Sequence, residues 1–123
     1  MAYLTDRKRA VGLGSSKTGT EHFWHMQVSA VALAILVPIF IFTFGPILGA
    51  PYPAVLEYFS RPFPAIVTGL TLVVGFTHFK NGAQVAIEDY TDGITRKALI
   101  VGTICLSYAA IAVGLFALIR LAL

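Results

Sequence analysis

The chain has 123 residues, of which 57% are hydrophobic and 12% are charged. A soluble domain of this length leaves roughly a third of its unfolded surface in water, so it could not hide so much apolar surface. The composition therefore excludes a soluble globular protein, and the net charge of +3 forms no basic stripe that could follow a nucleic-acid backbone.

The first 21 residues form a polar lead. Its cations are Arg7, Lys8, Arg9 and Lys17. A cleaved signal peptide is the competing interpretation, because these cations precede an apolar run. That run is too long for a signal peptide, and two further apolar segments follow it. We therefore predict that residues 1–21 are a cytoplasmic segment and that residues 22–123 form a single membrane domain.

Three uncharged segments have the length that a bilayer requires. A helix rises about 1.5 Å per residue, so about 20 apolar residues cross the hydrocarbon core. The segments predict membrane-spanning helices over about residues 24–48, 63–88 and 98–120. The predicted fold class is therefore an all-α integral membrane protein with three transmembrane helices.

The connection between the first two spans is rich in proline. Residues 49–64 have the sequence GAPYPAVLEYFSRPFP, which contains four prolines. Clusters of proline and glycine are typical of turns and loops. We expect a short extended segment outside the helices. Pro38 lies inside the first span and predicts a kink there.

The distribution of lysine and arginine predicts the orientation in the membrane. These residues collect on the cytoplasmic side of membrane proteins. The lead and the second loop, residues 88–97, contain most of them, whereas the first loop and the C-terminal tail contain only Arg61 and Arg120. We predict a cytoplasmic N-terminus and a C-terminus on the opposite side of the membrane.

His78 lies near the middle of the second span. An imidazole in hydrocarbon is costly unless it is paired, ligated or functional, so it marks a candidate functional site. We interpret His78 as an axial ligand to haem iron. The alternative is a histidine that only makes a hydrogen bond between two helices. His22 and His25 lie at the membrane interface, where an imidazole is less costly, and we assign them no ligand role.

Helical geometry places small and polar residues on the same face as His78. At about 100° per residue, that face holds Thr71, Gly75, His78, Gly82 and Asp89, and Val85 is the exception to the small or polar pattern. Gly75 and Gly82 leave space beside the imidazole that a bulky macrocycle could occupy. The same pattern also suits the close packing of two helices.

Asp89 and Tyr90 mark the end of the second span. Asp89 lies about 16 Å further along the helix than His78, about half the thickness of the hydrocarbon core. A carboxylate and a phenol at the boundary supply hydrogen bonds and proton access to a molecule that reacts there. The alternative is that Asp89 caps the helix and Tyr90 anchors it in the aromatic belt.

The spacing of His78, Gly82, Asp89 and Tyr90 resembles the second helix of the D-type hydrophobic membrane anchor subunit of succinate dehydrogenase, respiratory complex II. The resemblance extends to the three spans and to the aromatic and polar start of the first span, which comprises His22, Phe23 and Trp24 through Ser29 and Ala30. Such a subunit is not catalytic alone, and the resemblance assigns no catalytic residue to this chain.

The resemblance also implies a role for each of the four residues. His78 would bind the iron of haem b, with the second axial ligand supplied by a histidine of a second anchor subunit, and Gly82 would pack beside the haem. Tyr90 would donate a hydrogen bond to ubiquinone, and Asp89 would hold charge or water at that site.

The resemblance also implies a multi-pass location in the bacterial cell inner membrane, with a periplasmic C-terminus. The implied partners are a second anchor subunit of the cytochrome b type, an iron–sulfur subunit and a flavoprotein subunit, all held at the lipid membrane. Electrons from succinate would reach the quinone through the flavin and iron–sulfur centres of those subunits. Gln27 stands where members of this family often have an arginine, so no charge role is assigned to it. Lys80 is a candidate partner for a haem propionate, or it extends to the cytoplasmic headgroups.

Two other functions stay open at this point. One is a haem-free scaffold subunit that binds only a quinone or partner helices. The other is a small transporter or channel subunit, for which Lys80, Asn81 and Gln84 would have to face water. The spans contain too few polar residues to favour the second alternative.

Overall fold

A computed structural model describes residues 3–14 and 19–123 of the chain, so Lys17 of the lead lies outside the described residues. Within these ranges the chain forms α-helices and a single 3₁₀ turn, and it forms no β-strand. The helices are α1 (Asp6–Val11), α2 (Gly19–Phe44), α3 (Tyr52–Phe59), α4 (Pro62–Tyr90) and α5 (Gly93–Ala122), and the 3₁₀ turn spans Gly45–Ile47.

Three of these elements are long and apolar enough to cross a membrane. They span Gly19–Ile47, Pro62–Tyr90 and Gly93–Ala122, with 29, 29 and 30 residues. The prediction of an all-α protein with three candidate membrane spans is confirmed. Helices α4 and α5 extend beyond the predicted apolar limits at both ends, and α2 begins earlier than predicted but ends at Phe44. Hydropathy marks only the part in hydrocarbon, and a helix can continue among the headgroups. The sidedness of the two termini stays a prediction.

Helix α4 is the central element of the membrane domain. It packs against α2 on one side and against α5 on the other, and α2 and α5 do not approach one another within residues 19–123. Glycines allow the close approach of α5: a Cβ built on Gly114 would collide with the Leu72 side chain, and one on Gly69 would lie 3.3 Å from Leu118 Cδ2. Small residues at such crossings are typical of membrane helices.

The expectation of an extended first loop is wrong. Residues Tyr52–Phe59 form α3, with Pro51 at the N-cap and a proline in the first turn. Proline is tolerated there because the first amide groups of a helix have no intrahelical partner. The helix docks on the end of α2: Phe59 is buried, and the Tyr58 hydroxyl donates a 2.6 Å hydrogen bond to the carbonyl oxygen of Thr43.

The connection from α4 to α5 is shorter than the predicted second loop. Only Thr91 and Asp92 separate the two helices. The Arg96 side chain holds the turn, donating from Nε to the Thr91 carbonyl oxygen at 2.6 Å and from Nη2 to Asp92 Oδ1 at 2.8 Å. Gly93 has a φ of 60°, a conformation that favours glycine. As a result, Asp89 and Tyr90 lie in the last turn of α4.

Candidate functional site

His78 faces α2 from the middle part of α4. Its ring Nδ1 lies 2.8 Å from Ser29 Oγ, and the side chain is half-buried between the two helices. Ser29 itself is only 9% exposed. The structure therefore gives the intramembrane imidazole a hydrogen-bond partner within the same chain, which removes part of the cost of placing it among apolar side chains.

Ser29 is also bonded to its own helix. Its Oγ lies 2.9 Å from the carbonyl oxygen of His25 and 3.0 Å from that of Met26. Sequence reasoning noted Ser29 only as part of the start of the first span and did not connect it with His78. The available signal was that both residues are polar side chains within consecutive spans, which are antiparallel.

The two glycines that flank His78 differ in their surroundings. A Cβ on Gly82 would lie 3.7 Å from Met26 Cε, an ordinary contact with α2, so the predicted packing of Gly82 beside a haem stays a prediction. A Cβ on Gly75 would meet no atom within 4 Å. Gly75 borders an apolar groove of about 460 Å³, lined by Phe40, Thr68, Thr71, Leu72, Gly75, Phe76 and Phe79.

A second groove follows the opposite edge of the α2–α4 contact. We call it the polar groove; its volume is about 430 Å³, and its polar lining residues are His22, His25, Ser29, Thr77, Lys80 and Asn81. The Nε2 atom of His22 is buried without a hydrogen-bond partner in the described part of the chain. Lys80 Nζ lies 5.9 Å from the centroid of the Tyr108 ring on α5, within the range of a cation–π contact.

Asp89 and Tyr90 are exposed at the end of α4. Tyr90 is 88% exposed, and neither side chain forms a hydrogen bond or ion pair with residues 3–14 or 19–123. Along the helix they lie about 16 and 18 Å from His78. Around the helix Asp89 is about 20° from His78, whereas Tyr90 is about 120° away. The structure therefore leaves both side chains free to contact a molecule outside this chain.

Metal binding by this chain alone would require several ligands in one place. Within the described ranges, no group of three or more histidine, cysteine, aspartate or glutamate side chains is close enough to hold a metal ion. A haem has a smaller requirement, because the porphyrin supplies four nitrogens and each axial position takes one side chain. His78 offers a half-buried imidazole with one ring nitrogen already hydrogen-bonded, which is the kind of single side chain that such a position takes.

Comparisons with known proteins agree with one another. Residues 1–118 match the family described as "Succinate dehydrogenase/Fumarate reductase transmembrane subunit". The chain is 46% identical over 123 residues to the "Succinate dehydrogenase hydrophobic membrane anchor subunit" of Paracoccus denitrificans, covering 100% of this chain and 95% of the relative. It is 29% identical over 99 residues to the "Succinate dehydrogenase membrane anchor subunit" of Reclinomonas americana, covering 78% and 81%. No solved structure matches the chain.

Proposed function

We propose that this chain, which belongs to the family of succinate dehydrogenase/fumarate reductase transmembrane subunits, supplies one axial ligand to haem b through His78 and part of a ubiquinone site through Asp89 and Tyr90. Its membership of that family makes it a succinate dehydrogenase membrane anchor subunit and a membrane protein that has partner subunits. It contributes binding groups to the complex and is not an enzyme alone.

The position and bonding of His78 support the haem assignment. It is a histidine at mid-depth of a membrane helix, and its Nδ1 is paired with Ser29 at 2.8 Å. In metal sites a ligating histidine almost always makes a hydrogen bond through its other ring nitrogen. When bound, a b-type haem supplies a one-electron carrier whose potential depends on its ligands, its burial and nearby charge. A histidine of the other anchor subunit would supply the second ligand.

Asp89 and Tyr90 serve the quinone at the end of α4. The Tyr90 phenol is exposed and has no partner among the described residues, so it is available to donate a hydrogen bond to a quinone carbonyl oxygen. Such a bond stabilises the negative charge that develops on that oxygen during reduction, most strongly where water is scarce. The Asp89 carboxylate, adjacent in sequence, holds charge or water from which protons reach the same molecule.

The three membrane helices hold these groups and tether the other subunits. With the N-terminus in the cytoplasm of a bacterial cell, the α4–α5 turn and the quinone residues lie on the cytoplasmic side of the inner membrane, next to the iron–sulfur and flavoprotein subunits. The cations near that turn support this orientation. Lys80 on α4 lies within cation–π range of Tyr108 on α5, at 5.9 Å from its ring centroid.

The decisive experiment replaces His78 with alanine in the intact complex. We expect the reduced-minus-oxidised spectrum of the b-type haem to be lost or strongly weakened in His78→Ala. His25→Ala is the matched control, because His25 is an exposed imidazole on α2. The haem spectrum of the His25→Ala complex should be the same as that of the unaltered complex. A complex that assembles normally with His78→Ala and has an undiminished haem spectrum would remove the ligand assignment.

A haem-free scaffold is the second candidate function. The hydrogen bond between His78 and Ser29 favours the scaffold, because this bond joins α2 to α4 without any cofactor. In that case the purified complex shows no haem absorption band, and His78→Ala lowers only the stability of assembly. The same spectra therefore separate the two candidates.

A further inference from the structure

We propose that Ser29 is a positioning residue that holds His78 with its proton on Nδ1, so that the lone pair of Nε2 is available to iron. This inference rests on the proposed function of His78 and adds to it the identity of the nitrogen that binds. It arises from three distances around one hydroxyl group, which lies 2.8 Å from His78 Nδ1, 2.9 Å from the His25 carbonyl oxygen and 3.0 Å from the Met26 carbonyl oxygen.

The hydroxyl has a single proton, and three groups lie within bonding distance of it. Carbonyl oxygens can only accept, whereas a neutral imidazole nitrogen either donates or accepts. If Ser29 donates to a carbonyl oxygen of its own helix, Oγ still has lone pairs and accepts from Nδ1–H. If Ser29 donates to an unprotonated Nδ1 instead, both carbonyl contacts lose their hydrogen bond. The first arrangement therefore makes one more hydrogen bond than the second.

The surroundings favour the arrangement with more hydrogen bonds. Ser29 is only 9% exposed, so water replaces a missing hydrogen bond poorly at this position. A serine inside a helix also commonly donates to the carbonyl oxygen four residues before it, which is His25 here. Both arguments place the serine proton on the backbone and the imidazole proton on Nδ1.

The ring geometry then determines which atom can ligate. The two nitrogens of an imidazole point in widely different directions, so with Nδ1 turned toward α2, Nε2 points away from Ser29. The hydrogen bond fixes both the tautomer and the rotation of the ring about its bond to the chain. An acceptor on Nδ1–H also raises the basicity of Nε2, which strengthens its bond to ferric iron.

The test compares variants of Ser29 in the intact complex. Ser29→Ala removes the acceptor, whereas Ser29→Thr keeps a hydroxyl at the same place. We expect Ser29→Ala to retain haem, to shift the highest-g signal in the electron paramagnetic resonance spectrum of the ferric haem, and to raise the haem midpoint potential. The spectrum and potential of Ser29→Thr should stay close to those of the unaltered complex.

Ser107→Ala is the matched control, since Ser107 is a buried serine on α5, 1% exposed, whose Oγ has no hydrogen-bond partner in the described residues. Ser107→Ala should change neither the resonance spectrum nor the midpoint potential of the haem.

If Ser29→Ala prevents assembly, Ser29→Cys is used in its place, because a thiol has similar size and is a weak acceptor. Ser29→Cys should shift the resonance spectrum and the midpoint potential in the same direction as expected for Ser29→Ala.

The outcomes separate this inference from the proposed function. A fully haem-loaded Ser29→Ala or Ser29→Cys complex with unchanged resonance spectrum and potential overturns the role of Ser29 and leaves the ligand assignment intact. Retention of haem in His78→Ala overturns both the ligand assignment of His78 and the role of Ser29.

Discussion

Removal of the Tyr90 hydroxyl tests the quinone assignment with little risk to folding. In the described part of the chain this phenol is 88% exposed and has no hydrogen-bond partner, so Tyr90→Phe removes no contact that stabilises the helices. Any large change in turnover must then come from a bond to another molecule. A hydrogen bond to a group that becomes charged contributes about 1.5–3 kcal/mol. At about 1.36 kcal/mol per factor of ten, its loss slows quinone reduction by about 10- to 150-fold.

The assay compares two electron acceptors in the same membranes. Succinate oxidation is followed once with ubiquinone and once with a dye that takes electrons before the membrane site. We expect Tyr90→Phe to lower only the quinone-dependent rate. Tyr52→Phe is the control, because Tyr52 is also an exposed tyrosine, 68% exposed, and lies at the start of α3 near the other end of the helices. Equal losses with both acceptors would mean that Tyr90 has only a structural role.

Two further predictions concern the packing that positions the site. Gly114→Val should lower the stability of the purified complex by about 1–3 kcal/mol, because the new side chain collides with Leu72 at the α4–α5 crossing. Gly102→Val is the control, because Gly102 lies on the same helix with open space around its Cβ position. Equal thermal midpoints for the two variants would contradict the close contact of Gly114 with Leu72. Tyr58→Phe should cost about 1 kcal/mol by removing the 2.6 Å bond to the Thr43 carbonyl oxygen. An unchanged midpoint in thermal denaturation would show that α3 does not depend on that bond.

Hydropathy and local spacing were sufficient for the larger features of the molecule. The three candidate spans follow from uncharged runs of the right length, because the bilayer imposes one dimension on every crossing helix. The spacing of His78, Gly82, Asp89 and Tyr90 was sufficient to indicate the family, which the match over residues 1–118 confirms. Both signals lie within single segments of the sequence.

Features that depend on two segments were harder to predict. The pairing of Ser29 with His78 depends on the relative height of α2 and α4, which is determined by packing and not by the composition of either helix. The sequence does not predict helix α3, because clustered prolines favour an extended chain, although prolines at the N-cap and in the first turn are compatible with a helix. The contact of Lys80 with Tyr108 joins α4 to α5, so it too depends on two segments and is hard to predict from the sequence.

A structure of the assembled complex that resolves the porphyrin tests the central claim most directly. The account predicts that His78 Nε2 is bonded to the haem iron while Nδ1 stays within hydrogen-bond distance of Ser29 Oγ, as it is here at 2.8 Å. A complex in which the iron is bound by other residues, or in which no porphyrin lies within bonding range of His78, would contradict it.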